Sequence, residues 1–246
     1  MEFLNKAISV IMPAYNEGGH IFNNIQETVR TFEEFGCEYE IIAVDDGSKD
    51  NTLEEIQRAA NVFKHIAVVQ NKENYGKGRA LKKGFRCTKG EYVVFLDSDM
   101  DLHPIQLQTF FDIMRLDEVD VVIGSKRHPN SRLDYPQHRR IVSAVYFFFV
   151  KVMFGLPIRD TQTGLKLFKR EVLEKVFRKI LVRKFAYDLE ILVLAHHFGY
   201  KVAEAPVVMN FKRGTWRRVG IKTIWDTWWD TMAIWYRIYV LQYYDG

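Results

Sequence analysis

The fold is decided by residues 92–101, which read YVVFLDSDMD. The short apolar run predicts a buried strand, because turn-forming residues follow it at once. Removing an unpaired carboxylate from water is costly, so the acids that end this stretch need a cationic partner or contact with solvent.

Three carboxylates stand at alternating positions after the strand, at Asp97, Asp99 and Asp101. Extended backbone would point Asp97 and Asp99 the same way, because they lie two residues apart. Two such oxygen ligands suit Mg²⁺ or Mn²⁺, particularly an ion that already carries phosphate oxygens. The alternative is an acidic loop that caps the next helix, but the rest of the chain favours the metal.

The composition allows one large domain or two small ones in 246 residues, of which 48% are hydrophobic. The two cysteines, Cys37 and Cys87, lack metal-type spacing, which favours a reducing compartment. The N-terminus has no apolar core of a signal peptide, and no segment reaches the roughly 20 apolar residues of a spanning helix. We therefore expect the protein to face the cytoplasm.

Two basic clusters stand out against a formal net charge of only +4. The first contains Lys126, Arg127, Arg132, Arg139 and Arg140, and the second contains Lys212, Arg213, Arg217, Arg218 and Lys222. Clusters of this size favour phosphate, nucleic acid or an anionic membrane surface as the partner. The alternative is a solvated surface.

Further strands are predicted by β-branched and apolar runs that alternate with helical patterns. With the opening stretch they comprise residues 8–12, 39–44, 65–70, 92–96 and 119–123. This alternation predicts βαβ units, and hence an α/β fold with a mostly parallel sheet flanked by helices.

Polar loops follow four of these strands, at the edge where parallel sheets bind ligands. They contain residues 15–17, 45–46, 74–79 and 97–101. No Gly-x-x-x-x-Gly-Lys-Ser/Thr motif occurs, and no Gly-x-Gly-x-x-Gly follows the first strand, which argues against a P-loop and a dinucleotide fold. The acids and Lys77 instead suit a metal-bound nucleoside diphosphate whose far end carries the reactive group.

Four motifs occur in the order typical of one enzyme family: PAYNE at 13–17, VDDGS at 44–48, GKG at 76–78 and DSD at 97–99. Over about the first 210 residues the chain resembles the inverting family 2 glycosyltransferases, which have the GT-A fold. The stretches RDTQTGLKLF (159–168) and FAYDLE (185–190) resemble a narrower branch that glycosylates polyprenyl phosphates. That branch contains dolichyl-phosphate mannose synthase and dolichyl-phosphate glucose synthase.

The resemblance implies a nucleotide site and a metal site. The nucleotide-binding candidates are Pro13, Tyr15, Asn16, Glu17, Asp45, Asp46 and Lys77, with Lys77 near the base or the diphosphate. Asp97 and Asp99 would coordinate Mg²⁺ or Mn²⁺ through the diphosphate oxygens. Asp101 would be a third ligand, at a position where mannose synthases of this branch often carry Gln.

The resemblance also implies an acceptor site. Lys126 or Arg127, with Arg139 and Ser143, match the positions that receive the acceptor phosphate. The family usually shows Ser-Arg where this chain has Ser125-Lys126, so the choice between Lys126 and Arg127 stays open. Further substrate-binding candidates are Gln162 and Thr163 near the sugar, and Lys212 and Arg218 in the second basic cluster.

A phosphate acceptor needs no general base, because it is already anionic near neutral pH. It needs cations that aim it, and Arg matches phosphate in geometry. We predict direct displacement with inversion, positioned by Arg139 and its neighbours, with the metal at Asp99 stabilising the departing diphosphate. Asp188 is the candidate base if the acceptor is an alcohol; otherwise it is an acid favoured by a helix N-terminus.

Two segments predict contact with a membrane surface. Residues 141–156 are apolar on nearly every side and too short to span a bilayer, which suits an amphipathic interface helix. The C-terminal stripe contains Ile221, Ile224, Trp225, Trp228, Trp229, Met232, Trp235, Tyr236 and Tyr239. Trp and Tyr favour the membrane boundary, and residues 212–222 could meet anionic headgroups. The alternative is that both helices pack on the sheet or on a partner subunit.

We therefore predict a catalytic domain over residues 1–210 and a basic, aromatic helical segment over residues 211–246. The leading hypothesis is transfer of a hexose from GDP-mannose or UDP-glucose to a polyprenyl (dolichyl-type) phosphate, with mannose favoured. The protein would be peripheral at the cytoplasmic face of the membrane, with a membrane-protein partner or a second copy as candidate partners, and without nucleic acid. The alternatives are a glycosyltransferase acting on a soluble or polysaccharide hydroxyl group, and a non-catalytic nucleotide-sugar-binding protein.

Overall fold

Strand and helix alternate along the part of the chain that the computed structural model describes. That part comprises residues 7–133, 137–182, 186–209 and 221–245, without the side chains of residues 137–145 and 221–224. The strands are β1 (Ile8–Ala14), β2 (Tyr39–Asp45), β3 (Ile66–Gln70), β4 (Tyr92–Phe95), β5 (Val121–Ser125), β6 (Arg132–Leu133), β7 (Lys166–Lys169), β8 (Val202–Pro206) and β9 (Val208–Met209). The helices are α1 (Ile21–Phe35), α2 (Thr52–Val62), α3 (Lys77–Phe85), α4 (Leu107–Leu116), α5 (Gln137–Phe154), α6 (Arg170–Lys179), α7 (Tyr187–His197) and α8 (Ile221–Tyr239).

The central sheet has seven strands in the order β3-β2-β1-β4-β7-β5-β8. Neighbouring strands are parallel except at β7, which runs antiparallel to both β4 and β5. This confirms the predicted α/β fold with a mixed, mostly parallel sheet. The strand order reverses at β1, which lies between β2 and β4. Loops that leave a sheet at such a point diverge and open a crevice for a ligand.

Strand β1 runs two residues further than predicted, through Pro13 to Ala14. Pairing with β4 ends at Ile11, whose carbonyl accepts the amide of Leu96. The backbone groups of Pro13, two residues later, point to the same side as those of Ile11. The pairing with β4 has already ended there, so the missing N–H of Pro13 costs no hydrogen bond of the sheet. The tetrapeptide β7 was not predicted, because a Lys at each end gives it no alternating pattern.

Side chains alternate between the two faces of the sheet. Ile11 and Phe95 pack on the face covered by α3, α6, α7 and α8, whereas Val10 and Val94 pack on the face covered by α1, α2 and α4. Burying an aliphatic side chain of this size contributes about 1.5–3 kcal/mol. The strands that carry the polar loops are therefore anchored on both faces.

Helix α7 is buried along its length, from Tyr187 to Ala195. Its sequence is apolar around most of its circumference, as expected of a helix inside a core. The packing holds its first turn, with Tyr187 and Asp188, at the edge of the sheet where the polar loops meet.

Helix α8 packs on the rest of the fold through one side. The rings of Phe149 on α5 and Trp228 on α8 lie 4.0 Å apart between centroids, and the Tyr146 and Thr231 hydroxyls lie 3.1 Å apart. Ile234 is fully buried in the core that α3, α6 and α7 share. Part of the predicted C-terminal stripe is therefore a packing surface, as the alternative interpretation had it.

The opposite side of α8 is exposed. It carries Trp225, Trp229, Met232, Tyr236 and Tyr239, which we call the outer stripe. Helix α5 divides in the same way: Val150 and Phe154 are buried, while Phe148 and Val152 are exposed. No helix in the described ranges has the length and apolar content needed to cross a membrane. Membrane contact of these two helices stays a prediction.

Candidate active site

A cavity of about 680 Å³ opens at the carboxyl edge of β1, β2 and β4. Its lining contains nine of the predicted residues: Pro13, Tyr15, Glu17, Asp46, Lys77, Asp97, Asp99, Gln162 and Asp188. Ala14, Asn74, Tyr75, Gly76, Ser98, Tyr187 and Asp226 complete it. The loops after four neighbouring strands, β3, β2, β1 and β4, therefore converge at one crevice, as their polar sequences predicted.

Asp46 holds the loop that leads into α3. It is buried, and its carboxylate accepts from Asn71 Nδ2 at 2.7 Å, from the Gly76 amide at 2.9 Å and from the Tyr75 amide at 3.2 Å. These bonds place Lys77, the first residue of α3, at the cavity. Asp46 was predicted to hold the nucleoside directly, and the structure adds this role in shaping the loop.

Lys77 and Asp97 form an ion pair across the cavity, with Nζ 2.5 Å from Oδ1. Burial opposes a charge on Lys77, but the carboxylates of Asp97 and Asp188 outweigh it and raise the pKa of this ammonium. Burial likewise opposes a charge on Asp97, and the Lys77 ammonium outweighs it and lowers the pKa of Asp97. Both groups are therefore charged at neutral pH.

The pKa of Asp99 is shifted in the opposite direction from that of Asp97. Burial and the neighbouring carboxylates of Asp97 and Asp101 raise its pKa to about 6. The Asp101 amide donates to Asp99 Oδ1 at 3.1 Å, which offsets only part of this effect. Ionised Asp99 therefore faces uncompensated negative charge, which a cation would relieve.

Asp97 and Asp99 fit a divalent metal, since Mg²⁺ in phosphate-handling sites takes one or two carboxylates and completes its shell with phosphates and water. The predicted set of three carboxylates is not assembled. No three His, Cys, Asp or Glu side chains among the described residues are arranged to share one ion. Asp101 was a third ligand by family resemblance, but Met100 has a φ of 58°, so the extended backbone does not continue to Asp101.

Asp188 is engaged by a buried cation. Lys166 on β7 is almost completely buried, and its Nζ lies 2.6 Å from Asp188 Oδ1 and also donates to the Thr163 carbonyl. One carboxylate oxygen of Asp188 is therefore already bonded to an ammonium, which counts against Asp188 as a general base.

Three predicted substrate-binding residues do not belong to the described lining of the cavity. The Asn16 side chain accepts the Lys49 amide at 2.9 Å, and Asp45 accepts the Ser48 amide at 3.2 Å. Thr163 is fully buried and donates to Asp160 at 2.8 Å. Each side chain shapes a loop, because polar side chains in turns satisfy nearby groups. Their contact with substrate stays a prediction.

Lys126 and Arg127, the two residues after β5 that could bind the acceptor phosphate, have different neighbours. Lys126 lies close enough to Asp97 to help lower the pKa of that carboxyl, and its amide donates to Asp160 at 3.1 Å. The Arg127 guanidinium lies 5.1 Å from the Phe147 ring on α5. The choice between Lys126 and Arg127 therefore stays open. The predicted side chains of Arg139, Ser143, Lys212 and Arg218 lie outside the described residues, and their roles stay predictions.

Tyr187 is a cavity residue that was not predicted, although the FAYDLE motif contains it. A Cβ on Gly78 would lie 2.5 Å from its ring, so only glycine allows α3 to approach α7 this closely. The Tyr187 hydroxyl and Gln162 Nε2 are buried without a hydrogen-bond partner in the described part of the chain. Unsatisfied buried donors beside a cavity indicate a polar ligand.

The site and fold define the class of protein. The sequence model described as glycosyl transferase family 2 matches residues 9–177, more than half of the chain. The chain therefore belongs to glycosyl transferase family 2, and the predicted resemblance is confirmed.

Three proteins of known name are similar to this chain in sequence. The glycosyltransferase AglD of Haloferax volcanii is 33% identical over 202 residues, which cover 81% of this chain and 32% of that protein. Dolichyl-phosphate beta-glucosyltransferase of Dictyostelium discoideum is 33% identical and covers 82% of this chain and 66% of its own length. The Saccharomyces cerevisiae enzyme of the same name is 28% identical, with coverages of 88% and 71%. The chain thus spans about a third of the first relative and about two thirds of the other two.

Solved structures support the fold. Glucosyl-3-phosphoglycerate synthase from Mycobacterium tuberculosis, in complex with phosphoglyceric acid, matches with a TM-score of 0.72 at 18% identity, covering 95% of this chain and 80% of that one. A structure of the same enzyme with Mn²⁺, UDP-glucose and phosphoglyceric acid matches with a TM-score of 0.69. At this identity the likeness is one of fold, and it confirms the predicted GT-A architecture.

Proposed function

We propose that this chain transfers glucose, with inversion, from a nucleotide sugar to a polyprenyl (dolichyl-type) phosphate. The observation that carries the proposal is the cluster of Lys77, Asp97 and Asp99 at the carboxyl edge of a family 2 sheet. The two relatives named for their acceptor are dolichyl-phosphate glucosyltransferases. The proposal therefore places glucose first and reverses the order in which mannose was favoured.

The donor would bind with its diphosphate near Lys77. This ammonium borders the cavity, and its ion-pair partner among the described residues is Asp97 Oδ1, which it can exchange for a diphosphate oxygen. Asp97 and Asp99 would hold Mg²⁺ or Mn²⁺. When bound, such an ion stabilises the negative charge that develops on a departing diphosphate.

The remaining charged residues of the site suit a phosphate acceptor better than an alcohol acceptor. A phosphate oxygen attacks the anomeric carbon while the bond to the diphosphate oxygen breaks, and no proton has to be removed. Lys126, which lies near Asp97, would be a cation that receives such a phosphate. The ion pair of Asp188 with Lys166 disfavours the alternative, a hydroxyl acceptor with Asp188 as base.

A lipid-linked acceptor requires access to a membrane. The outer stripe of α8 exposes two tryptophans and two tyrosines on one side of a helix, a composition that favours the bilayer boundary. We therefore propose a peripheral position at the cytoplasmic membrane face. Packing against a membrane protein or a second copy is the alternative for this stripe.

The assay supplies Mg²⁺ or Mn²⁺, a short polyprenyl phosphate, and radiolabelled UDP-glucose or GDP-mannose. We expect label in the organic phase from UDP-glucose, with the inverted anomeric configuration. Asp99→Ala should lower the rate by about 10²–10³-fold, the usual effect of losing one group that stabilises developing charge. Asp112→Ala, which removes an exposed acid from α4 on the other face of the sheet, is the matched control.

Three outcomes would contradict the proposal. Glucose transfer to a water-soluble alcohol that depends on Asp188 would establish the hydroxyl-acceptor alternative. Transfer from GDP-mannose alone would restore the original order of sugars. Nucleotide-sugar binding without transfer to either acceptor would favour the non-catalytic alternative.

A further inference from the structure

A second cavity, of about 530 Å³, runs beside α3 and is not part of the candidate active site. We call it the basic groove. Its cations are Lys72, Arg79, Lys82, Lys83 and Arg86. Residues 180–182, which follow α6, contribute an apolar side, and no acid occurs among the described residues that line the groove.

The cations of the basic groove lack ion-pair partners among the described residues. Lys83 donates to the Gln70 carbonyl, and the Arg79 guanidinium lies 4.1 Å from the Tyr75 ring. Burial and the charge of Arg86 lower the pKa of Lys82, and they outweigh the opposite effect of the Glu190 carboxylate. Like charges without ion-pair partners repel one another, so an external anion would stabilise this arrangement.

The basic groove is continuous with the outer stripe of α8. Leu181 and Val182 line the groove and also line a third cavity, of about 650 Å³, together with Trp225 and Trp229. Both tryptophan residues are 70% exposed. Cations and exposed tryptophans therefore meet along residues 181–182.

The same surface borders the mouth of the candidate active site. Tyr75 lines both the basic groove and the active-site cavity. Asp226 lines both the active-site cavity and the cavity beside Trp225 and Trp229. The three cavities thus share walls, so a partner bound along the two outer ones would lie beside the active-site cavity.

We propose that the basic groove, residues 181–182 and the outer stripe together form one docking face for an anionic bilayer. Phosphate headgroups would enter the groove while Trp225 and Trp229 enter the interfacial layer. Charge and apolar complementarity favour a bilayer over a soluble polyanion, because a polyanion has no counterpart for two exposed indole rings. The proposal takes its purpose from the proposed function, since docking would bring the active-site entrance to a lipid-linked acceptor.

The test measures binding of the purified chain to phosphatidylcholine vesicles with or without phosphatidylglycerol, without any sugar substrate. The groove variant is Lys72→Gln/Lys82→Gln/Arg86→Gln. The control is Lys64→Gln/Arg115→Gln/Lys201→Gln, which removes the same charge just before β3, in the last turn of α4 and just before β8, at the opposite edge of the sheet. Each cation near an anionic surface accounts for about fivefold in affinity, so the groove variant should bind phosphatidylglycerol vesicles on the order of 100-fold more weakly.

The control should lose far less, and both variants should bind UDP-glucose like the unmodified chain. Equal losses in the two variants would show that only net charge matters, and unchanged binding of the groove variant would remove the groove from the docking face.

Trp225→Ala/Trp229→Ala should weaken binding to vesicles of either composition, and unchanged binding would remove the tryptophans from the docking face. A failure of glucose transfer leaves these vesicle results standing, so the two proposals fail separately.

Discussion

Asp99 shows how a single side chain can be placed for binding at the expense of stability. Its ionised form is disfavoured by burial and by two neighbouring acids, as its raised pKa of about 6 records. Strained charges of this kind cluster at functional sites. The neighbouring Lys77 cannot relieve Asp99 fully, because it is paired with Asp97.

Replacing Asp99 with Asn should stabilise the metal-free protein. A folded-state pKa above the unfolded value means that the carboxyl favours folding at low pH, and that this contribution is lost as the pH rises through about 6. The melting temperature of Asp99→Asn should therefore exceed that of the unmodified chain at pH 7.5, and the difference should shrink towards pH 4.5. Thermal melts in chelator across this range measure it. A variant that is less stable at pH 7.5 would contradict the assignment.

Replacing Tyr187 with Phe tests whether its buried hydroxyl serves the sugar. The ring stays against Gly78, and only a donor without a partner in the described residues is removed. We expect UDP-glucose to bind about tenfold more weakly, the size of one hydrogen bond, while UDP binds unchanged. Calorimetric titration with both ligands measures this, with Tyr39→Phe at the far edge of the sheet as control. Equal losses for the two ligands would place the hydroxyl near the nucleotide instead.

At the scale of elements, the ion pair between Lys166 and Asp188 joins β7 to α7. Both side chains are almost completely buried, and the Lys166 ammonium also bonds the Thr163 carbonyl. Burial lowers the pKa of Lys166 although Asp188 opposes it, so the pair gains less than its short distance suggests. Its effect is to hold the turn at residues 160–164 against the first turn of α7.

Lys166→Met should destabilise the fold by about 3–5 kcal/mol, because it leaves the Asp188 carboxylate buried without its partner. The double variant Lys166→Met/Asp188→Leu should recover much of this loss, since neither charge is then buried. Urea denaturation of the two variants and the unmodified chain gives the free energies of unfolding. A double variant no more stable than the single one would show that the two side chains act independently.

At the scale of the whole molecule, the C-terminal segment belongs to the same core as the sheet. Glu190 on α7 accepts the Val182 amide at 2.7 Å and the Tyr244 hydroxyl at 2.5 Å, and so joins α7, the segment after α6 and the residues beyond α8. Ile234 and Ile238 are buried in the core cluster that contains α7. The predicted boundary near residue 210 therefore separates two sequence patterns that share one core.

A chain truncated after Met209 should not fold stably. It loses the buried side chains of Ile234, Ile238 and Tyr244, each worth about 1.5–3 kcal/mol, and their sum approaches the total stability of an ordinary domain. Calorimetry and near-UV circular dichroism should show no cooperative transition. The full-length Trp225→Ala/Trp229→Ala variant, which changes only exposed side chains, should melt like the unmodified chain. A truncated chain with a normal transition would restore the separate catalytic domain of residues 1–210.

Much of the fold and part of the site followed from local sequence. Runs such as residues 92–96 predicted their strands, and the short motifs at residues 13–17 and 97–99 located the cavity and the family, because periodicity and turn chemistry depend on neighbouring residues. The sequence assigned Asn16 and Asp45 to the substrate, whereas in the structure each side chain accepts a backbone amide. A polar side chain in a loop can bind a ligand or a nearby backbone amide, and the sequence is the same in both cases.

The sequence by itself determined the α/β class, the edge of the sheet that carries the polar loops, and the acidic pair at Asp97 and Asp99. Only the tertiary structure decided that Lys166 occupies the Asp188 carboxylate and that α8 packs one side and exposes the other. Those outcomes depend on contacts between residues far apart in the chain. Such contacts arise when elements pack, and packing selects which polar groups are left facing the cavity and which are paired beneath it.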